Sequence, residues 1–183
     1  MPEKKSKTQA RVISRQEQTL SPWVRLVSKE ITLQPGRPPE LYHCLAQADY
    51  VAVLARTPGG LIPVVRQYRP AVEAYTWELP GGLVDRGEDP QAACERELLE
   101  ETGLRVKRVT FLGTQYADTG RLENRQHAFY METAEPDPKF DPEDGVGVEF
   151  VSFEDLKFRM KDGVFLNPLH MAVVMLYELH AGS

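Results

Sequence analysis

Alternation of apolar and polar positions predicts short strands along most of the chain. Residues 23–33 alternate, and a shorter run at 40–45 follows a turn rich in Pro and Gly, so the two segments predict a hairpin. Two further runs, 50–55 and 61–68, flank a glycine turn and predict a second hairpin. Strand-like patterns return in four later segments: 75–79, 106–116, 126–132 and 146–151.

Helical spacing begins near the middle of the chain. Asp89, followed by Pro90, is typical of a helix start, and Gly103 of a helix end, so the sequence predicts a helix over 90–102. Helical spacing returns at 153–160 and 168–180. The last helix carries four apolar residues on one stripe, which we expect to face the core: Met171, Val174, Met175 and Leu179.

The order of these segments predicts the domain organisation. Residues 1–20 are polar and without periodicity, which is typical of a flexible tail. Residues 21–46 predict a small N-terminal β unit, and residues 47–183 predict the main domain. A mixed sheet with a few helices gives the α+β class.

Composition and charge narrow the choice of function. The chain has 183 residues, 42% of them hydrophobic, and a net charge of −5, so it can form a packed core but offers no overall basic surface for nucleic acid. Its two cysteines are too few for a disulfide framework. We find no secretory signal and no apolar run of membrane-spanning length. We therefore expect a cytoplasmic protein that binds neither membranes nor nucleic acid.

The predicted helix over 90–102 carries an unusual group of acids. At 100° per residue, Glu97, Glu100 and Glu101 share an arc of about 100°. Like charges at this spacing cost about 0.2–0.5 kcal/mol per pair unless a cation lies over them. The alternative is a solvated acidic face, but that would place apolar residues directly opposite, where the sequence has polar ones. The pattern favours carboxylates that face a cavity and bind a hard cation such as Mg²⁺.

A longer motif surrounds these acids. Gly82 is followed after five residues by Glu88 and after seven more by 96–104, of sequence Arg-Glu-Leu-Leu-Glu-Glu-Thr-Gly-Leu. This 23-residue stretch resembles the Nudix box, and the chain is similar to the Nudix hydrolase family. Residues 66–70 and 77–82 resemble the branch that hydrolyses ADP-ribose and other nucleoside diphosphate sugars.

The resemblance implies a fold, an activity and a metal site. The fold would be an α/β/α sandwich with a mixed sheet, and the activity would be Mg²⁺-dependent hydrolysis, with Mn²⁺ as an alternative cation. The metal ligands would be the three helix glutamates and a backbone carbonyl: Gly81, Glu97, Glu100 and Glu101. Four residues would be structural in the box, although Glu88 is also a candidate metal or water contact: Gly82, Glu88, Arg96 and Gly103.

A general base and a substrate-binding group complete the implied site. In this branch the base comes from a late acidic loop, which makes Glu143 the first candidate and Asp144 the second, with Glu123 as a rival. For any of these three, an ordinary solvated loop acid is an equal alternative. Arg66 and Arg69 are candidate phosphate ligands, with Arg69 beyond the strand end and a structural role as the alternative for one of the pair.

The substrate and the assembly are left more open by the resemblance. Trp23 is a candidate for stacking on a base, although a core or dimer-interface tryptophan is an equal alternative. Relatives that prefer ADP-ribose have a proline where this chain has Thr119, which also admits GDP-mannose-like substrates. A homodimer formed through the N-terminal unit is implied. Dinucleoside polyphosphate hydrolysis and a ligand-sensing Nudix domain without hydrolysis are the competing hypotheses.

Overall fold

The computed structural model describes residues 10–34, 36–142 and 145–182. The chain divides into two compact units. The first contains the described residues through Gln47 together with Tyr116–Asn124, and the second contains Ala48–Gln115 and the described residues from Arg125 onward. The return of 116–124 to the first unit was not anticipated from the sequence.

The first unit is built on a three-stranded antiparallel sheet in the order β1-β2-β3. Its strands are β1 (Arg11–Thr19), β2 (Arg25–Thr32) and β3 (Glu40–Ala46). Strands β2 and β3 form the hairpin that the alternation predicts.

The sequence predicts a flexible tail over residues 1–20, but residues 11–19 form strand β1. Its residues pair with β2 through the main chain, and Ser14 donates a hydrogen bond to Glu30 at 2.8 Å. Because most β1 side chains are exposed, the strand has no apolar alternation by which the sequence could reveal it. Trp23, in the turn between β1 and β2, is 70% exposed and is not a core residue.

The described residues of the second unit form seven strands and three helices. They are β4 (Tyr50–Arg56), β5 (Ile62–Arg69), β6 (Ala74–Glu78), β7 (Gly81–Leu83), α1 (Pro90–Thr102), β8 (Val106–Tyr116), β9 (Arg125–Thr133), β10 (Gly147–Val151), α2 (Phe153–Lys161) and α3 (Pro168–Ala181), with β8 ending on the first residue of the returning segment. One sheet has the order β7-β4-β9-β8, with β4 and β9 parallel. The other has the antiparallel order β10-β5-β6. The mixed α+β class is confirmed.

Strand β4 supplies both sides of the core. Its alternate residues share one apolar cluster with α1: Val51, Val53 and Ala55 with Cys94 and Leu98. The residues between them share another cluster with α3: Ala52 and Leu54 with Val173 and Val174. Since successive strand residues point to opposite faces, the sheet lies between the two helices, as a sandwich requires.

Helix α3 is rotated relative to the stripe that the sequence predicts. Val174 is buried, but Met175 and Leu179 are 63% and 59% exposed, and the buried residues are His170, Val173 and Val174. Apolar residues occur on most sides of this helix, so spacing alone does not fix which side packs. Within the described part of the chain, no helix has the length and apolar character needed to cross a membrane.

Candidate active site

Helix α1 is positioned by local signals at both ends. The Asp89 carboxylate accepts hydrogen bonds from the backbone N–H groups of Gln91 and Ala92, at 2.9 and 3.2 Å. At the other end Gly103 has a φ of 69°, and its N–H donates to the Leu99 carbonyl at 2.9 Å. The left-handed conformation favours glycine and ends the helix after Thr102. The bounds predicted from the sequence agree with the structure.

Glu101 is the most deeply buried of the three glutamates in the acidic arc of α1. Its side chain is 8% exposed, and one carboxylate oxygen accepts a hydrogen bond from the Gly81 N–H at 2.9 Å. Burial raises the pKa of Glu101 to about 8, because the charged carboxylate loses hydration and the Gly81 hydrogen bond offsets only part of that loss. The acidic arc therefore turns inward at this residue and is not a solvated stripe.

Glu97 lies half-buried against the glycine pair. Burial raises its pKa above the ordinary value, in opposition to the hydrogen bond from Arg96. A Cβ atom on Gly82 would lie 2.4 Å from the Glu97 carboxylate, and one on Gly81 would lie 2.2 Å from the carbonyl oxygen of Val51. Glycine is therefore required at both positions, so that β7 can approach β4 and the Glu97 carboxylate can lie against β7.

Arg96 links the acids of the box. Its Nε and Nη2 donate to the two Glu88 oxygens at 3.0 and 3.1 Å, and Nη1 donates to Glu97 at 2.8 Å and to Glu100 at 3.1 Å. Nη2 also donates to the Leu83 carbonyl at 3.2 Å. The guanidinium beside Glu88 holds the pKa of that carboxyl below its usual range. Through these contacts Arg96 joins Glu88, Glu97 and Glu100, while the structural role of Arg96 and Glu88 in the box stays a prediction.

The donor set of the site fits a hard divalent cation. Glu97, Glu101 and the Gly81 carbonyl offer oxygen ligands on adjacent elements, which is what Mg²⁺ and Mn²⁺ prefer. Burial raises the pKa of both Glu97 and Glu101, so a cation bound between them would favour their ionised forms. Glu100 is occupied by Arg96, and among the described residues no three acidic, histidine or cysteine side chains already converge as a complete metal site.

The candidate phosphate ligands lie on β5. Arg69 is inside the strand, paired with Ala74, and not beyond the strand end as expected from the sequence. Its Nε and Nη2 each donate to a Glu78 oxygen at 2.8 Å. Burial alone would raise the pKa of Glu78, but the hydrogen bonds from Arg69 and Thr76 outweigh it and hold the pKa at about 2. Arg66 is exposed, with its guanidinium carbon 4.4 Å from the centre of the Tyr75 ring.

The three candidate general bases are Glu143, Asp144 and Glu123, and the structure describes only the last of them. Glu143 and Asp144 lie outside the described residues. Glu123, in the first unit, is paired with Arg15 at 2.7 Å and with Lys29. The hydrogen bond from Arg15, followed by that from Lys29, lowers the pKa of Glu123 to about 2, which makes this carboxylate a weak proton acceptor at neutral pH.

Three polar residues beside the site were not predicted from the sequence: Glu78, Asn167 and His170. Glu78 is only 3% exposed, and it accepts hydrogen bonds from Arg69, Thr76 and Asn167. His170 is buried on α3 and accepts a hydrogen bond from the backbone between β6 and β7. Glu78 lies within the Trp-Glu-Leu-Pro-Gly-Gly segment at 77–82, but nothing in the local pattern shows that a residue 92 positions away lies beside it.

Comparisons with known proteins agree with this fold and helix. The family model described as "NUDIX domain" matches residues 46–168, about two thirds of the chain. A solved structure described as "Crystal structure of ADP compounds hydrolase" has a TM-score of 0.78, with 95% of each chain covered, and shares the fold at 18% identity. A mixed sheet with a box helix of this kind defines the Nudix class, and the chain belongs to the NUDIX domain family.

Two curated relatives are similar over shorter stretches. The ADP-ribose pyrophosphatase of Bacillus subtilis is 36% identical over 108 residues, which is 57% of this chain and 58% of that protein. A hydrolase of Streptomyces rubellomurinus named for a CMP-linked phosphonate is 36% identical over 90 residues, 44% of each protein. The chain thus matches about half the length of these relatives.

Proposed function

We propose that this protein hydrolyses the pyrophosphate bond of nucleoside diphosphate sugars, with ADP-ribose as the first candidate substrate and Mg²⁺ or Mn²⁺ as the cation. The observation that carries the proposal is the pair of inward-facing carboxylates, Glu97 and Glu101, packed against the Gly81–Gly82 backbone. With its pKa raised to about 8 by burial, Glu101 is mostly protonated at neutral pH, and a bound cation would favour its ionised form.

Each residue of the site has a role in this reaction. The residues that would hold the cation are Glu97, Glu100, Glu101 and Gly81, the last through its carbonyl. The cation would neutralise the charge of the pyrophosphate and lower the pKa of the attacking water. Arg96 keeps the carboxylates in one arrangement through its fork of hydrogen bonds.

The substrate is held by the arginines of β5. Arg69 Nε and Nη2 are bonded to Glu78, so in this proposal Nη1 is the group that would bind the pyrophosphate, and Arg66 would contribute a second positive charge. Glu143, or Asp144 beside it, removes the proton from the attacking water.

The choice of substrate rests on the relatives and on one departure. ADP-ribose is favoured by the name of the Bacillus subtilis relative, and ADP compounds are favoured by the name of the hydrolase that shares the fold. The relative named for a CMP-linked phosphonate indicates that the base varies among similar chains. Thr119, where ADP-ribose-preferring relatives have a proline, keeps GDP-mannose as the second candidate.

We further propose that residues 47–183 form the catalytic domain and that the first unit mediates a homodimer. Support comes from exposed apolar side chains on the first unit, which are typical of an interface: Val12, Ile13, Trp23 and Leu41. Light scattering on the full chain is expected to give twice the mass of 20.7 kDa. A monomer at micromolar concentration would contradict the dimer but would leave the catalytic proposal intact.

A substrate panel tests the activity. We expect ADP-ribose or GDP-mannose to be cleaved to a nucleoside monophosphate and a sugar phosphate when Mg²⁺ or Mn²⁺ is present, and not when EDTA is present. Turnover of diadenosine polyphosphates alone would favour the dinucleoside polyphosphate hypothesis. Tight binding of a nucleotide sugar without turnover under every metal condition would favour the ligand-sensing hypothesis.

Substitutions in α1 test the assignment of the carboxylates. Glu101→Gln and Glu100→Gln remove one charge each and keep the shape, so both are expected to lower kcat by at least about 100-fold, the low end of what a group that acts on the transition state contributes. Glu95→Gln is the matched control, because Glu95 is on the same helix outside the acidic arc and accepts a hydrogen bond from Gln91. Unchanged turnover in both arc variants would overturn the metal assignment.

A further inference from the structure

The N-terminus of α3 is joined to the strand that precedes the glycine pair. The Asn167 amide oxygen accepts hydrogen bonds from the N–H groups of Leu169 and His170, at 3.1 and 3.4 Å, and so caps the helix. Its amide nitrogen donates to Glu78 at 3.2 Å. One side chain therefore begins the helix and also fixes the buried carboxylate that holds Arg69.

His170 makes the second connection, one turn further along α3. Its ring is buried, and Nδ1 accepts a hydrogen bond from the Leu79 N–H at 3.1 Å. Leu79 is itself 1% exposed, so this N–H has no access to water. A buried N–H that loses its acceptor and cannot reach water destabilises the folded state, which makes the contact important for the local backbone.

The backbone held by His170 runs directly into the proposed metal site. After Leu79 the chain continues through Pro80, whose carbonyl accepts a hydrogen bond from the Val53 N–H at 3.0 Å. Gly81 follows, and its N–H donates to Glu101. The segment is thus fixed on one side by α3 and on the other by β4, and proline cannot donate a hydrogen bond of its own.

These contacts define what we call the α3 brace, consisting of Asn167 and His170 with their partners Glu78 and Leu79. We propose that the two α3 residues are positioning residues: they hold the Leu79–Gly81 backbone so that Gly81 meets Glu101, and they hold Glu78 so that Arg69 faces the substrate. The inference rests on the proposed function, since it concerns the same site. It adds a helix that the box motif does not contain.

A purely structural role makes a different prediction. If the brace only satisfies buried polar groups, removing it destabilises the protein but leaves the remaining folded molecules with an unchanged metal site. If it positions Gly81, metal affinity falls beyond what the loss of stability explains. Mutation of a residue that orients a metal ligand typically lowers metal affinity by about 10–100-fold.

Three variants of α3 separate the two roles. His170→Leu removes the acceptor, and His170→Asn restores one, because the amide oxygen can occupy the place of Nδ1. Val173→Ala is the matched control: Val173 is fully buried on the same helix and lies in the apolar cluster with Leu79, and the substitution leaves a cavity without touching the Leu79 hydrogen bond.

Mn²⁺ binding to the substrate-free protein is the primary measurement, by titration calorimetry, together with the unfolding temperature. We expect His170→Leu to weaken Mn²⁺ binding by about tenfold or more, His170→Asn to return it to within about threefold of the wild type, and Val173→Ala to lower the unfolding temperature without weakening Mn²⁺ binding. Hydrogen exchange of the Gly81 amide, measured by NMR without metal, is expected to accelerate only in His170→Leu.

A variant of Asn167 tests the connection from α3 to Glu78. Asn167→Ser keeps a good helix cap but removes the amide that donates to Glu78. We expect the unfolding temperature to stay close to that of the wild type and KM for the nucleotide sugar to rise several-fold with a smaller change in kcat, since Arg69 meets the substrate.

The outcomes distinguish this proposal from the proposed function. If the wild type binds Mn²⁺ but hydrolyses no nucleotide sugar, only the proposed function falls, and the brace is decided by the Mn²⁺ dissociation constants. Equal Mn²⁺ affinity in His170→Leu and the wild type would overturn the brace, as would equal losses in His170→Leu and Val173→Ala. A wild type that binds no Mn²⁺ would overturn both proposals.

Discussion

Arg96 contacts acceptors on two elements of the second unit. Its guanidinium reaches Glu88 before α1, Glu97 and Glu100 on α1, and the Leu83 carbonyl at the end of β7. Each of these contacts is partly exposed, so their combined contribution to the free energy of unfolding is small. Their importance is geometric, because a planar guanidinium holds three carboxylates in one arrangement and a lysine cannot.

Arg96→Lys is therefore expected to separate activity from stability. The positive charge remains but the fork is lost, so metal affinity and kcat are expected to fall by about tenfold, while the unfolding temperature changes by only a few degrees. Activity against Mg²⁺ concentration, followed by thermal unfolding of the same samples, makes the comparison. Arg105→Lys, on the exposed segment after α1, is the control. An equal loss of activity in the control would argue against a specific role for the fork.

At the scale of elements, the short strand β7 lies unusually close to its neighbours, the backbone of β4 and the Glu97 side chain. Its three residues pair with β4 in antiparallel register, Gly81 with Ala52 and Gly82 with Val51. On Gly81 a side chain would meet backbone, whereas on Gly82 it would meet the movable end of Glu97. Two neighbouring glycines are thus required for different reasons, one for the fold and one for the site.

Alanine substitutions at the two glycines are expected to have different effects. Gly81→Ala forces β7 away from β4, and we expect the unfolding temperature to fall by several degrees or the protein to fail to fold. Gly82→Ala displaces the Glu97 carboxylate, and we expect near-normal unfolding with a loss of Mn²⁺ affinity and turnover. Both variants are measured by thermal unfolding and Mn²⁺ titration. Stability losses of equal size would contradict this division of roles.

Elements with local signals could be predicted from the sequence, and those that depend on distant partners could not. The bounds of α1 follow from Asp89, Pro90 and Gly103, which act within a few residues of the helix. Strand β1 was missed because its pairing with β2 leaves its side chains exposed. The prediction of which side of α3 packs against the core was wrong in part, because apolar residues on most sides of a helix do not show which side is buried.

The same distinction applies to the candidate site. The helix glutamates were found because 3.6-residue geometry places them on one arc. The brace was not found, because Glu78 and His170 meet only after β6 and α3 fold together. The pairing of Arg69 with Glu78 was not found either, since their side chains meet across two adjacent strands.

At the scale of the whole molecule, two buried groups give stability an unusual dependence on pH. Burial raises the pKa of Glu101 from 4.5 to about 8 and lowers the pKa of His170 from 6.5 to about 4. As pH rises from 4.5 to 8, the unfolded chain releases a proton that folded Glu101 retains, so the free energy of unfolding falls. As pH drops from 6.5 to 4, histidine binds a proton in the unfolded chain but His170 does not bind one in the folded protein. The free energy of unfolding therefore also falls toward low pH.

The two effects oppose each other between about pH 4.5 and 6.5, where we expect metal-free protein to show a plateau of stability. Above pH 6.5 the effect of Glu101 is no longer opposed by His170, and the free energy of unfolding is expected to fall by about 1.4 kcal/mol per pH unit as far as pH 8. Saturating Mg²⁺ is expected to abolish this fall, because a bound cation stabilises the ionised carboxylates and binds only the folded state.

Urea unfolding from pH 4.5 to 8.5, with EDTA and with Mg²⁺, measures these curves. The variant Trp23→Phe leaves Trp77 as the only tryptophan, so that fluorescence reports on the second unit. Adding Glu101→Gln is expected to replace the plateau with stability that rises from pH 4.5 to 6.5, since His170 then acts alone, and to remove most of the fall above it. If metal-free protein without this substitution keeps constant stability between pH 6.5 and 8, the pKa of folded Glu101 is not raised to about 8, and the main support for the proposed cation site is lost.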